Sequence, residues 1–583
     1  MGQNLEIAGD TAEGLLADRL RNPKFLGPAD PQTGIAPHWC SFPDVMHWNW
    51  RCELTPGLAL SGETAQMLCL YDPAMGKGIV QTDVWVRAGE TLELELWALA
   101  QSQPTKLEII LRPRVPKLPP YAATELLIDK PYWSRYTVTL PCPADDDHAE
   151  LALKMRSLTL VWLDQIHLRP AGEFLRRDAI EAMKQLRPTV LRYPGGCECT
   201  SFRWRHSVGP AHRRPHVHDP VFKRHINYDF GTDEFLSICS ELSATPHLSV
   251  TIGNGTPDDA ADWADHCRQW YERQGLKPPM VYFHLGNEHM GAWELGHMEG
   301  KTYAQVLRDF VPGIRAAYPN SRIIALGHEH AWVAGKQHPW REVILREAAE
   351  YFDVLGLQLY GAADPSATVF GAKVDPTKLM QSIIENLRHR MAPMLRQAAD
   401  DAAAAGKSIA ITEWNLWTHL RQYHEAGRFE EPGDGAHLLF VSLFQHALWS
   451  LGPALELVNY YALLNPMGLV QSRRGRVWFN PLAELFKLWR DAIPGTWLPL
   501  QGGDEAVNVV AVRGESKRWL FAVNPDMQAP CELRWDSLGL GRELRSVTAD
   551  DADDLARTQP PVALRGSKAM LPPLSFNRIE LES

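Results

Sequence analysis

Two glutamates stand where a chain can do acid–base work. Glu288 closes the run Tyr282-Phe-His-Leu-Gly-Asn-Glu288, and Glu413 lies in Ile409-Ala-Ile-Thr-Glu-Trp-Asn415. Each follows a short apolar stretch that reads as a buried strand. Two carboxyl groups on strand ends of one scaffold are the minimal machinery for breaking a glycosidic bond. One protonates the leaving oxygen, and the other attacks or stabilises the sugar cation. Either residue alone could be a structural ion pair, but two in matching contexts favour the catalytic reading. At a separation of about 5–5.5 Å the pair would work through a covalent intermediate with net retention. One acid would then be ionised and the other kept neutral by burial and the neighbouring charge.

Such a pair needs a rigid frame. Apolar or β-branched runs occur at Asn4–Gly9, Thr189–Pro194, His247–Gly253, Met280–Glu288, Arg322–Glu329, Val354–Gly361, Ile409–Asn415 and Leu455–Tyr461. Helical patterns separate most of them, among them Ala12–Arg21, Phe174–Leu186, Asp233–Leu242, Thr302–Ala317, Thr377–Ala404 and Gly435–Ser450. Eight strands alternating with helices predict an α/β chain built on a parallel (β/α)8 TIM barrel. On this count Glu288 ends the fourth strand and Glu413 the seventh. From about Asn22 to Pro170 the pattern changes to alternating strands punctuated by turns, a β-sandwich inserted after the first strand and helix. The expected organisation is residues 1–21 and 171–490 for the barrel, 22–170 for the inserted sandwich, and 491–583 for a C-terminal β-sandwich.

Composition narrows the function classes. The chain has 583 residues, 45% hydrophobic and 22% charged, which is ordinary globular composition. A formal charge of -11 disfavours nucleic acid and acidic membrane surfaces as partners. Nine cysteines are too few and odd in number for a disulfide framework. Cys197 and Cys199 have no second pair to complete a zinc site, and no Gly-rich phosphate loop follows a strand, so neither metal nor cofactor is expected. No stretch of about 18 apolar residues is present to span a membrane. Met1–Glu6 lacks a basic segment leading into an apolar run, so a reducing, cytoplasmic location is expected. The 21 tryptophans could stack on sugar faces, although at least half of them are expected in cores.

The flanking residues carry a family resemblance. Gly286-Asn-Glu288-His-Met-Gly-Ala-Trp293-Glu-Leu-Gly-His297 and Thr412-Glu-Trp-Asn-Leu-Trp417 resemble the acid/base and nucleophile segments of glycoside hydrolase family 51, best known for α-L-arabinofuranosidases. Leu191-Arg192-Tyr-Pro-Gly-Gly196, Phe230-Gly-Thr-Asp-Glu-Phe235 and Gly253-Asn-Gly-Thr-Pro257 are similar to its other barrel segments. The resemblance implies Glu288 as acid/base and Glu413 as nucleophile. It implies that Asn287 bonds the sugar 2-hydroxyl, that Arg192 keeps Glu413 ionised, and that Glu6 grips the sugar before the cleaved bond. Trp293 would wall the same subsite or simply pack. Cys197 falls where some members place a sugar-contacting cysteine, or is plain core. Tyr360 is placed to donate a hydrogen bond near the nucleophile. Three positions depart from the family pattern: Gln358 stands in place of a histidine, Thr412 in place of an acid, and Ile7 in place of a histidine. The bond-breaking chemistry looks intact, while the sugar is left open.

Other features have weaker readings. His212, His216 and His218 suggest a polar rim loop rather than a metal site. His328-Glu329-His330, at the end of the fifth strand, reads equally as substrate contact or packing. Met46-His-Trp48-Asn-Trp50 and Trp133 could form an aromatic platform on the inserted sandwich, which resembles jelly-roll carbohydrate-binding modules through Val161-Trp-Leu-Asp164. The leading expectation is a retaining, arabinofuranosidase-like glycosidase acting on polysaccharide or oligosaccharide. An endo-β-glucanase on the same barrel and a non-catalytic glycan-binding protein are the alternatives, and a homo-oligomer is left open.

Overall fold

The eight apolar runs close into one parallel barrel in the computed structural model of the chain. Its strands are β1 (Gly2–Asn4), β2 (Val190–Tyr193), β3 (Thr245–Val250), β4 (Val281–Leu285), β5 (Ser321–Leu326), β6 (Val354–Ala362), β7 (Ser408–Trp417) and β8 (Leu455–Tyr460). They are hydrogen-bonded in that order, and β8 returns to β1. The structure describes residues 1–7, 14–43, 50–60, 64–71, 76–115, 117–221, 223–333, 335–362, 375–417, 433–498, 508–535 and 538–582. β2 and β4 are buried along their whole length. A parallel strand covered on both faces carries apolar side chains in both directions, which is why these segments read as continuous runs.

Nine helices are seen among the described residues: α1 (Arg177–Leu186), α2 (Thr232–Leu242), α3 (Pro257–Arg273), α4 (Gly300–Ala317), α5 (Arg341–Glu347), α6 (Pro376–Asn386), α7 (Ala392–Ala404), α8 (Gly435–Trp449) and α9 (Ala483–Arg490). Their starts follow local chemistry. The Thr256 hydroxyl accepts from the Asp259 amide ahead of Pro257 in α3, and the Asp434 carboxylate accepts from the His437 amide at the start of α8. α6 and α7 form one long rod joined by a π-helical turn over Leu387–Met391.

The helix expected over Ala12–Arg21 is not seen over its described part, residues 14–21. Residues 8–13 lie outside the described residues, and residues 14–21 contain no helical turn. Their backbone bonds go to other segments instead: Ala17 N donates to Phe174 O (2.9 Å), Arg19 N to Leu168 O (2.8 Å), and Leu15 O accepts from Arg176 N (2.8 Å). Leu15 is buried in the barrel core and Leu20 in the sandwich core. The spacing of these leucines therefore reflects an extended connector that feeds two cores in turn. β1 also ends earlier than expected, so Glu6 lies just past the strand rather than within it.

The inserted region forms two five-stranded sheets. One runs Cys40–Phe42, Lys77–Val86, Asp146–Met155, Thr105–Arg112, Ala122–Ile128; the other runs Trp50–Pro56, Thr64–Leu70, Leu160–Pro170, Thr91–Ala100, Ser134–Pro141. Alternate residues such as Leu92, Leu94, Leu96, Leu107, Ile109 and Leu111 form the core between them. At the C-terminal end a mainly antiparallel sheet built around Arg518–Asn524 and Ser575–Leu581 lays one face on the barrel. Phe576 meets Trp489 of α9 at 5.4 Å, and Phe521 meets Trp449 of α8 at 5.3 Å.

Candidate active site

The carboxyl ends of β1, β2, β4, β6 and β7 bring the expected polar residues to one place. Glu413 lies inside β7, and a bulge aims it. Leu357 pairs with Ile411, yet the next residue of β6, Gln358, pairs with Glu413, so Thr412 is the extra residue. An inserted residue turns the side chains that follow it. Gln358 and Glu413 are left side by side, with Gln358 Nε2 donating to Glu413 Oε1 at 2.8 Å. Arg192 Nη1 donates to the same oxygen, and the Tyr360 hydroxyl donates to Oε2 at 2.7 Å. A carboxylate has only acceptors to offer, and three donors converge on this one.

Arg192 organises the floor. It is 0% exposed. Besides Glu413, it donates to Asn287 Oδ1 at 2.8 Å and to Ser249 Oγ at 2.9 Å. A guanidinium fork suits such a multiple contact, where a lysine would not. Asn287 also accepts from Gln358 Nε2 at 2.5 Å, and its Nδ2 donates to Glu294 Oε1 at 2.7 Å and faces Cys197 Sγ at 3.6 Å.

Glu288 lies beyond β4, after Gly286 bends the chain at φ +85. The positive φ at Gly286 favours glycine, and a Cβ there would also crowd the Ile252 and His289 side chains at 2.7 and 2.8 Å. The Trp293 indole N–H donates to Glu288 Oε2 at 2.8 Å, although Trp293 is 58% exposed. Burial, and then the charge of Glu413, raise the Glu288 carboxyl to about 8. Glu288 is therefore protonated at neutral pH.

Glu6 occupies a socket of its own. Gly196 N donates to Oε1 at 2.7 Å and the Tyr461 hydroxyl donates to Oε2 at 2.8 Å. A Cβ at Gly195 would lie 2.8 Å from Glu6 Cβ, which explains the Pro-Gly-Gly turn. At Gly196 it would meet Glu6 Oε1 at 3.1 Å and Glu413 Oε1 at 3.2 Å, so both carboxyl groups flank this glycine. Burial and the Glu413 charge raise Glu6 to about 7.

All nine expected site residues thus meet at one barrel end: Glu6, Arg192, Cys197, Asn287, Glu288, Trp293, Gln358, Tyr360 and Glu413. Tyr461, Ser249 and Glu294 were missed. Tyr461 could have been found as the last residue of the eighth apolar run, on the catalytic end. Glu294 sits in the segment read for Trp293, but nothing in its spacing marks it as inward-facing. Among the described residues, one cluster could hold a cation: Cys197, Glu288 and Glu294, with donor atoms within 4.8 Å of one another. Burial pushes the Cys197 thiol well up, so a metal would first have to displace its proton.

The secondary features sort themselves. The His212 ring lies tilted against Trp97 of the sandwich, with centroids 4.5 Å apart, so it joins the two parts. His328 is half-buried and lowered to about 4 by desolvation. In the supposed platform, Met46, Trp48 and their neighbours lie outside the described residues, and Trp133 donates its indole N–H to Leu58 O at 2.9 Å.

The chain is similar to several known proteins. Residues 182–354 match the model of the α-L-arabinofuranosidase 1 domain; the match includes Arg192, Asn287 and Glu288 and stops short of Glu413. α-L-Arabinofuranosidase C of Emericella nidulans is 28% identical over 276 residues, 44% of this chain and 53% of that protein. The chain thus spans about half the length of such curated relatives. An intracellular exo-α-(1→5)-L-arabinofuranosidase of Acetivibrio thermocellus is 26% identical over 407 residues, 63% of this chain and 78% of its own. Among solved structures, an arabinose-bound family 51 α-L-arabinofuranosidase superposes with a TM-score of 0.74 at 14% identity, covering 99% of this chain and 96% of that one. The family 51 arabinofuranosidase of Xanthomonas axonopodis pv. citri gives 0.61 at 20% identity, covering 71% and 91%. Over residues 182–354 the chain is thus similar to the α-L-arabinofuranosidase 1 domain, and its barrel has the fold of solved family 51 arabinofuranosidases.

Proposed function

We propose that the protein is a retaining glycoside hydrolase of the α-L-arabinofuranosidase kind, releasing sugar residues from polysaccharide or oligosaccharide. The observation that carries this reading is the contrast between the two catalytic carboxyls. Glu413 is fastened by Arg192, Gln358 and Tyr360, while Glu288 has no cationic partner of its own among the described residues and is raised to about 8, first by desolvation and then by the Glu413 charge. In the first step Glu288 gives its proton to the leaving oxygen as Glu413 attacks the anomeric carbon, forming a glycosyl ester. In the second step Glu288 takes a proton from water, which displaces Glu413 and restores both residues. Glu6, held by Gly196 and Tyr461, binds the sugar before the cleaved bond, and Asn287 contacts its 2-hydroxyl in exchange for the weak Cys197 contact. We assign residues 1–21 and 171–490 to the catalytic barrel, 22–170 to the inserted sandwich and 491–583 to the C-terminal one. We also place the protein in the cytoplasm, in keeping with the buried thiols of Cys52, Cys199, Cys239 and Cys267 and with the name of the A. thermocellus relative.

The test is a panel of aryl glycosides of arabinofuranose, xylose, galactofuranose and glucose, with the anomer of the first product followed by NMR. The reading expects arabinofuranoside cleavage with retention, lost in Glu413→Ala. An inverted first product, or undiminished turnover by Glu413→Ala, contradicts it.

A further inference from the structure

Glu294 is a buried carboxyl that the two-step reaction does not use. It lies six residues past Glu288, is 3% exposed, and has one oxygen fastened to Asn287 Nδ2 at 2.7 Å. Its other oxygen, Oε2, is buried without a well-formed hydrogen bond. Burial raises the Glu294 carboxyl, while the Cys197 thiol, Asn287 and the Thr200 hydroxyl favour its anion; the Thr200 hydroxyl is itself turned to Cys197 O at 2.8 Å. A buried acceptor left unsatisfied is destabilising. This one stands beside the reacting groups, because the Cys197, Glu288 and Glu294 donor atoms lie within 4.8 Å of one another.

A hydroxyl group of a bound sugar is the partner this oxygen lacks. We propose that Glu294 is a specificity-determining residue whose Oε2 accepts a hydrogen bond from one hydroxyl of the sugar seated against Glu288. The proposal rests on the glycosidase reading and narrows its substrate class: the sugar must present a free hydroxyl there. An acceptor-only group rejects the deoxy or O-alkyl analogue, because its own buried oxygen is then left bare. Glu294 also acts on the acid/base. The charged and titratable groups facing Glu288 are Glu413 on β7, Arg192 on β2, Cys197 after β2, and Glu294 on its own loop. Burial and Glu413 contribute most to raising Glu288, and the charge of Glu294 adds to them.

The experiment couples one variant to a set of monodeoxy aryl glycosides. Glu294→Gln keeps the acceptor for Asn287 but turns the second position from acceptor to donor. It should lower kcat/KM about 10- to 100-fold, and one monodeoxy substrate should show that same loss with the native enzyme and no further loss with the variant. The alkaline limb of its pH profile should move to lower pH, since a negative neighbour of Glu288 is gone. Glu294→Asp keeps the charge but withdraws the oxygen, so it should lose the hydroxyl coupling and keep the limb; a purely structural role would lower Tm in both variants and move no limb. Fully additive losses for every monodeoxy substrate, or kcat/KM within about 3-fold of native, overturn the proposal. Native-like Glu294→Gln beside inactive Glu288→Ala and Glu413→Ala removes this inference alone. Active Glu288→Ala and Glu413→Ala would remove the glycosidase reading itself.

Discussion

Trp293→Phe is expected to move the alkaline limb of kcat/KM upward. The indole N–H donates to Glu288 Oε2 at 2.8 Å, a bond that favours the ionised carboxylate and so opposes the burial that raises this group to about 8. Removing the donor leaves only the Arg192 charge to oppose the burial and the Glu413 charge, and the acid keeps its proton to higher pH. A hydrogen bond to a charged acceptor contributes about 1.5–3 kcal/mol net. With Trp293 58% exposed, solvent competes, and about 1 kcal/mol is the more suitable figure. At about 1.36 kcal/mol per pKa unit, the limb should rise by about 0.7 unit. The assay is initial-rate kcat/KM for an aryl arabinofuranoside between pH 5 and 10, with stability checked at each end. KM should rise too if the ring lies against the sugar. A limb that stays in place while KM rises would make Trp293 a platform only, and a limb that falls would refute the assignment of Glu288 as the titrating acid.

Four further outcomes follow from the same contacts. Tyr360→Phe removes the only hydroxyl on Glu413 Oε2 among the described residues and should cost about 10-fold or more in kcat/KM with little change in Tm, read by steady-state kinetics. Gly195→Ala puts a Cβ against Glu6 at a backbone φ of +136; it should lower stability by about 1–3 kcal/mol in denaturant melts and raise KM. Glu456→Ala, at the opposite end of the barrel, strips the partner of Arg322, Tyr282 and Ser408; it should lower Tm and leave kcat/KM within about 2-fold, since that face supplies stability rather than chemistry. For Glu6 and Glu288 the folded chain binds protons that the unfolded chain has already released. Their contribution to stability therefore falls as pH rises from about 4.5 towards 8, and Glu288→Gln should flatten Tm against pH across that window.

Much of this arrangement was legible in the chain because burial on both strand faces leaves a plain mark. β2 and β4 are short apolar runs, and it is the pairing of Glu288 beyond one such run with Glu413 on another, with Arg192 inside β2, that pointed to a site rather than to a single ion pair. The connector over residues 14–21 was misread because Leu15, Leu16 and Leu20 have helical spacing. Their true environment, two separate cores, is a tertiary fact that periodicity does not carry. The bulge at Thr412 was invisible for a related reason: one extra residue in β7 changes the register with β6 but not the composition of either strand. Glu294 and Tyr461 escaped because inward orientation, not residue type, makes them part of the site.

The central claim is that Glu413 forms a bond to the sugar while Glu288 moves the proton. It is tested most directly by mass spectrometry of Glu288→Ala mixed with an activated aryl arabinofuranoside, whose good leaving group needs no acid. Such a variant should complete the first step, stall at the second for want of a base, and carry one pentosyl group on the peptide containing Glu413. Release of the aryl group with no adduct on the protein, or an adduct on Glu6 or Glu294 instead, would contradict the account.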